Sequence, residues 1–281
     1  MSKVAVIQMN SCAAIGPNLI AAKRLLKEAA AGGAKLAVLP ENFGFFASKP
    51  DEYLVNQEVL DDGRIQNFIK EIARSEKMWI IAGTIPLVCP ENTDRVYTAS
   101  ILFDDKGRLV TAYNKIHLFD VTVSENETYK ESDSFYPGNE IKVVDTPIGR
   151  IGLSICYDLR FPELFRKMRE QGAEIFTLPA AFTSTTGVVH WRPLIKARAI
   201  ENQCYVLAAN QSGYHQDNGN MTHGHSMIVD PWGEVQALQI IGEGNAMAEI
   251  DLDNLYKVRQ KIPCFEHRKL KTDYKIDTQN K

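Results

Sequence analysis

A chain of 281 residues, 44% hydrophobic and 24% charged, has ordinary globular composition and room for one large α/β domain or two small ones. Its formal net charge of −3, with no Lys/Arg-rich run, argues against a nucleic-acid binder, and no apolar segment approaches the length that spans a bilayer. Five cysteines, at 12, 89, 156, 204 and 264, include no CxxC pair; with no cleavable leader pattern at the N-terminus, free thiols in a cytoplasmic setting are expected.

The first predicted element is the strand Val4-Ala-Val-Ile-Gln-Met9, followed by an amphipathic helix over 17–31. Gly33-Ala-Lys-Leu-Ala-Val-Leu-Pro40 reads as a buried strand, and Glu41 lies just past its end. Phe43, Phe45 and Phe46 come next, as pocket wall or as plain packing. A strand over 80–84 precedes a hairpin over 100–109 that turns at Asp-Lys-Gly, and its outgoing strand leads to Lys115 in Tyr113-Asn-Lys-Ile-His-Leu118. Residues 120–138 are polar and without period, so they read as a long inserted loop, a kind of segment that often carries function.

The strand Ile151-Gly-Leu-Ser-Ile155 delivers Cys156 to a sharp turn, and Phe161-Pro-Glu-Leu164 opens a helix over 162–171. A thiol between a strand end and a helix N-terminus sits in a positive field that favours thiolate, which is how a nucleophile is presented. The bland alternative is a buried core cysteine. Strands over 172–179 and 206–210 and a hairpin over 226–235, turning at Pro-Trp-Gly, complete the series.

These elements repeat. Gly33-Ala-Lys-Leu-Ala-Val-Leu-Pro40 recurs as Gly172-Ala-Glu-Ile-Phe-Thr-Leu-Pro179, residues 100–109 match 226–235 without a gap, and 80–84 match 206–210 at that same offset. Each half reads strand–helix–strand–helix–strand closed by a hairpin. Two such halves sharing a core give an α/β fold, a four-layer αββα sandwich, as a single domain over 1–281. The counterpart of Glu41 is Ala180, so the repeat does not itself require the carboxylate. Strand C-terminal ends are where α/β sheets gather ligands, so Glu41, Lys115 and Cys156 are expected to converge.

Leu39-Pro-Glu41-Asn-Phe, Tyr113-Asn-Lys115-Ile-His-Leu-Phe and Gly152-Leu-Ser-Ile-Cys156-Tyr-Asp-Leu-Arg-Phe-Pro-Glu, in this order and spacing, resemble the glutamate, lysine and cysteine motifs of the nitrilase superfamily of carbon–nitrogen hydrolases. The resemblance covers essentially the whole chain. It implies that Cys156 attacks an amide carbonyl and forms a thioester, with Glu41 as the acid/base. It implies Lys115 as oxyanion donor with a backbone N–H, that of Tyr157, and Glu131 as a fourth, charge-balancing residue. It implies no metal and no organic cofactor, a small-molecule amide substrate and a homodimer or higher homo-oligomer. Read alone, Glu41 also fits an exposed loop acid, Lys115 a snorkelling strand-end charge, and Glu131 a solvated loop residue beside Glu125 and Glu127.

Within the superfamily, residues 180–191, 196–205, 223–233 and 262–268 resemble the Nit-type amidases. That likeness implies hydrolysis of deaminated glutathione to 2-oxoglutarate and cysteinylglycine. An ω-amidase acting on 2-oxoglutaramate, a carbamoyl-amine hydrolase and a non-enzymatic scaffold are the alternatives. Arg160, Thr183 and Thr186 are candidate donors to a keto-acid substrate; the arginine equally fits an ion pair and the threonines loop caps. Arg192 stands where related enzymes often carry glutamate, which bears on specificity only if the position lines the pocket. His190, His223 and His225 lack the spacing of a zinc motif, and His225 is expected to hydrogen-bond structurally. Cys12 and Cys204 are expected to be buried, Cys89 and Cys264 exposed.

Overall fold

The computed structural model describes residues 1–125 and 127–270. Asn126 of the expected insertion, and 271–281 of the expected single domain, lie outside the described residues. The first half comprises β1 (Ser2–Gln8), α1 (Ile15–Ala31), β2 (Leu36–Val38), α2 (Glu52–Val55), α3 (Arg64–Glu76), β3 (Trp79–Ile81), β4 (Ile85–Val88), β5 (Val96–Phe103) and β6 (Leu109–Asn114). A hairpin of β7 (Asp120–Ser124) and β8 (Glu127–Lys130) and a 3-10 turn at Glu131–Asp133 follow. The second half runs through β9 (Val143–Thr146), β10 (Gly149–Leu153), α4 (Pro162–Glu170), β11 (Ile175–Ala180), α5 (Ser184–Asn202) and β12 (Tyr205–Asn210). It continues with β13 (Ser212–Tyr214), β14 (Met221–His223), β15 (Ser226–Val229) and β16 (Val235–Gln239), and β17 (Gly244–Ile250) and α6 (Leu252–Lys261) close the order.

The two halves build the same sheet. One has the order β17-β1-β2-β3-β5-β4, with β6 also on β5, and the other β16-β15-β12-β11-β10-β9. Parallel pairing carries β1 to β2 to β3 and β10 to β11 to β12, and the next strand returns antiparallel. The repeat holds to the residue: Ile80 pairs with Phe103 as Val206 pairs with Val229. Both hairpins slip register at the matching step, Leu102/Phe103 and Ile228/Val229. In both turns an aspartate closes the loop: Asp104 Oδ1 accepts the N–H groups of Lys106 and Arg108, and Asp230 Oδ1 those of Trp232 and Glu234.

Alternation along β1 and β2 explains the layers. Val4, Val6, Leu36 and Val38 face the second sheet, packing with Ile151, Leu153 and Ile175. Ala5, Ile7 and Ala37 face Leu25 and Leu26 of α1 and Ile69 of α3. The second sheet is covered outside by α4, through Phe165 and Met168, and by α5, through Trp191 and Ile195. The result is an αββα sandwich with sheets against each other and helices outside. Strands buried on both faces must be apolar throughout, which is why 33–40 and 172–179 carry no alternation. Each fully buried Leu or Ile there contributes roughly 1.5–3 kcal/mol of transfer free energy. Among the described residues no helix is long and apolar enough to cross a membrane.

Two features differ from the sequence expectation. β17 leaves the second half and pairs antiparallel with β1 over its whole length, so the first sheet is completed by a strand of the second half. Residues 120–138 are not a structureless loop: β7 and β8 pair, and Glu131 opens a 3-10 turn behind them.

Candidate active site

Glu41 sits in the turn after β2, at the end of a strand that must stop where Pro40 meets Gly83. A Cβ at Gly83 would lie 2.0 Å from the Pro40 carbonyl oxygen, so only glycine permits the approach. The Asn42 N–H donates to Thr84 Oγ1 at 2.8 Å, and the Glu41 carbonyl accepts Gln211 Nε2 at 2.9 Å. Lys115 follows β6, its N–H on the Thr98 carbonyl and its own carbonyl taking the Gly138 N–H. Cys156 opens a 3-10 turn over Cys156–Arg160 with φ of +42°, a left-handed conformation that a residue bearing Cβ adopts only when its surroundings fix it. Pro162 then begins α4.

The four side chains meet. Lys115 Nζ donates to Glu41 Oε1 at 3.0 Å and lies 2.8 Å from both oxygens of Glu131. Glu41 Oε2 accepts the Ala181 N–H at 2.8 Å, and Glu131 Oε2 the Phe119 N–H at 2.6 Å. The Cys156 thiol lies near enough to Glu41, Lys115 and the Ala181 N–H for each to act on its ionisation. Glu41 is 4% and Lys115 2% exposed, so neither is a solvated surface charge. A buried ammonium survives because two carboxylates surround it: burial pushes its pKa down, and Glu131 and Glu41 outweigh this and hold it well above the lysine range. Burial pushes the Glu131 carboxyl up, with Lys115 opposing.

The thiol departs from expectation. Burial, reinforced by the Glu41 charge, holds Cys156 well above the usual thiol range, and Lys115 offsets only part of this. The resting group is a protonated thiol beside a carboxylate, not a standing thiolate. Such a set can remove a thiol proton on demand and present an ammonium to developing negative charge.

These groups open into a cavity of about 370 Å³. Tyr157, Arg160, Thr183 and Thr186 line it, with Phe46, Phe119 and Tyr129 among the aromatic wall. Arg160 is half-buried, its guanidinium 5.1 Å from the Phe182 ring and its Nη1 3.2 Å from His190 Nδ1; among the described residues it has no ion pair. Of the threonines, Thr183 caps α5, its Oγ1 2.9 Å from that of Thr186, and both line the cavity. Phe43 and Phe45 do not line it; they are core, Phe45 edge-on to Tyr53. Arg192 is exposed on α5, away from the wall.

His225 Nδ1 lies 3.0 Å from the His223 carbonyl oxygen, and the two rings stack; burial and His225 push His223 down to about 4. No group of three or more His, Cys, Asp or Glu among the described residues could hold a metal ion. Cys204 is buried and Cys264 exposed, but Cys89 is buried and Cys12 only half-buried, the reverse of a simple distance-from-core reading.

One neighbour of the site escaped the sequence reading. Asp158, fully buried, joins the Cys156 turn to the segment around Lys115 through Tyr113 and His117. Its place two residues after Cys156, inside the cysteine motif, was the available signal.

Comparison with known proteins agrees with this geometry. The family model for carbon–nitrogen hydrolase matches residues 3–260. Deaminated glutathione amidase of Yersinia enterocolitica is 40% identical over 269 residues, 95% of this chain and 93% of that protein. The Homo sapiens protein of the same name is 42% identical over 269 residues, 95% of this chain and 82% of its own. The Caenorhabditis elegans NitFhit protein superposes with a TM-score of 0.89 at 39% identity; the match covers 95% of this chain but 65% of that longer one. Saccharomyces cerevisiae Nit3, a member of branch 10 of the nitrilase superfamily, gives 0.85 at 32%, covering 96% and 97%.

Proposed function

Since the chain belongs to the carbon–nitrogen hydrolase family and is a hydrolase of carbon–nitrogen amide bonds, we propose that it hydrolyses deaminated glutathione through a thioester on Cys156. The observation that carries the mechanism is the buried Glu41–Lys115 pair, flanked by the half-buried Glu131, with the Cys156 thiol beside Glu41 in the same cavity. Glu41 takes the thiol proton as sulfur bonds to the amide carbon. Lys115 and the Tyr157 N–H stabilise the oxyanion. The carbon–nitrogen bond breaks as Glu41 returns the proton to the amine, and cysteinylglycine leaves. Water, deprotonated by Glu41, then cleaves the thioester; 2-oxoglutarate departs and the thiol is restored. Glu131 keeps Lys115 charged and in place.

The substrate is supported by relatives at 40–42% identity named deaminated glutathione amidase and by Arg160, which lines the cavity beside Tyr157 and Phe182, where it can bind the keto-acid carboxylate. The test is 2-oxoglutarate release from deaminated glutathione and from 2-oxoglutaramate at matched concentrations. The expected result is a higher kcat/KM for the first, falling about 10–100-fold in Arg160→Ala through the loss of a charged hydrogen bond. A preference for 2-oxoglutaramate makes the chain an ω-amidase; carbon dioxide release from a carbamoyl amine moves it to that class instead.

A single domain, a cytoplasmic setting and self-association belong to the same reading. Val188 and Val189 on α5 and Trp232 are large exposed apolar side chains that a partner subunit would cover. Sedimentation at micromolar concentration is expected to find assemblies of twice 31.5 kDa or more; monomer alone would remove that part.

A further inference from the structure

Asp158 has no exposed surface, and its carboxylate is saturated. Oδ2 accepts the Ile155 N–H at 2.9 Å and the Tyr113 hydroxyl at 2.7 Å. Oδ1 accepts the His117 N–H at 3.2 Å and lies 2.7 Å from His117 Nδ1. The partners fall into two sets. Ile155 and Asp158 bracket Cys156 in the chain, while Tyr113 and His117 bracket Lys115, each two residues away.

One side chain therefore spans the two segments that carry the thiol and the ammonium. Its bond to Ile155, with the Asp158 N–H on the Ile155 carbonyl at 2.9 Å, closes the turn that holds Cys156 at positive φ. On the far side the His117 ring stacks on Phe161 at 3.7 Å and 4°, and Phe161 meets Tyr157 edge-on at 5.2 Å. Charge-assisted bonds in a dry interior are stiff and directional, so the span is fixed rather than averaged.

We propose that Asp158 is a positioning residue that sets the separation of the Cys156 thiol from the Lys115 ammonium by binding both main-chain segments. The inference rests on the reading of Cys156 as nucleophile and Lys115 as oxyanion donor. An amide cannot replace the carboxylate, since its NH2 would face at least one of the donors now satisfied. Tyr113→Phe is the milder variant: it removes the bond to Asp158 and the long 3.4 Å bond that the same hydroxyl accepts from the Ile116 N–H, and keeps the carboxylate and the ring.

The test uses the full-length protein, with folding checked by thermal unfolding. Steady-state kinetics on deaminated glutathione are paired with iodoacetamide alkylation of Cys156, followed by mass spectrometry across pH. Asp158→Asn is expected to lower kcat about 100-fold, the scale of a 1 Å misplacement, with KM little changed. Tyr113→Phe is expected to lower kcat less and to move the alkylation midpoint down toward the ordinary thiol range, as Cys156 slips from its buried place beside Glu41. A purely structural role would lower the melting temperature but leave kcat per folded molecule and the midpoint where they are. Folded Tyr113→Phe with wild-type kcat and midpoint overturns the proposal, whether or not Asp158→Asn folds. Turnover retained in Cys156→Ala would instead overturn the underlying reading, and the two failures are distinct.

Discussion

Cys156→Ala is expected to abolish amide hydrolysis, by on the order of 10⁵–10⁶ in kcat, while the sandwich stays folded. The size follows from chemistry: without sulfur there is no thioester, and Glu41 faces a methyl group that cannot be deprotonated. The small effect on folding follows from packing, since the thiol is one small group at the edge of a core built by Ile151, Leu153 and Leu159. The pH behaviour gives a second readout. The folded thiol titrates well above its ordinary range because burial and the Glu41 charge disfavour thiolate. Below the unfolded thiol pKa both states hold the proton and the group is neutral to stability. Above it the unfolded chain ionises while the folded one does not, so that contribution is lost as pH rises. Thermal unfolding from neutral to alkaline pH is therefore expected to show a wild-type decline that Cys156→Ala partly lacks. Full amidase activity in folded Cys156→Ala would discard the mechanism.

How much of this was readable beforehand depends on where each element finds its partners. The repeat was readable because sheet register is a local, apolar property: the offset between 80–84 and 206–210 reappears as the pairs Ile80–Phe103 and Val206–Val229. Lys115 and Cys156 were readable as strand-end residues. The hairpin of β7 and β8 was not, because it packs on the polar cavity rather than the core; β8 alternates half-buried and exposed positions filled by Glu127, Thr128, Tyr129 and Lys130, which carry no hydrophobic period. Nor was the return of β17 to β1, since Gly244–Ile250 pairs with a strand more than two hundred residues upstream. Asp158 was hidden for the same reason. A carboxylate just before a helix reads as a local cap, and its Tyr113 and His117 partners lie more than forty positions away. The thiolate expectation failed on magnitude: a helix end acts within a turn and contributes about 0.3–1 kcal/mol, less than the desolvation of a buried anion.

Lys115→Met carries the other large effect, and it is double. Loss of an oxyanion donor is expected to lower kcat by about 10²–10³. Stability falls as well, because Lys115 is the cation between Glu41 and Glu131, and its removal leaves the buried Glu41 and the half-buried Glu131 without the charge that joins them. Breaking a buried ion pair from one side typically costs about 3–5 kcal/mol. The sign with pH follows. In the variant the Glu131 carboxyl, which burial already pushes up in the wild type against the opposing Lys115 charge, loses that opposition and titrates further above its unfolded value. A carboxyl raised in the folded state keeps its stability contribution below the unfolded pKa and loses it as pH rises through the folded one. Lys115→Met is thus expected to be closest to the wild type in mildly acidic buffer and furthest below it at neutral pH. Urea unfolding at two pH values measures this directly. A deficit that is the same at both would mean the carboxylates find other partners, and near-normal kcat in the folded variant would remove Lys115 from the reaction.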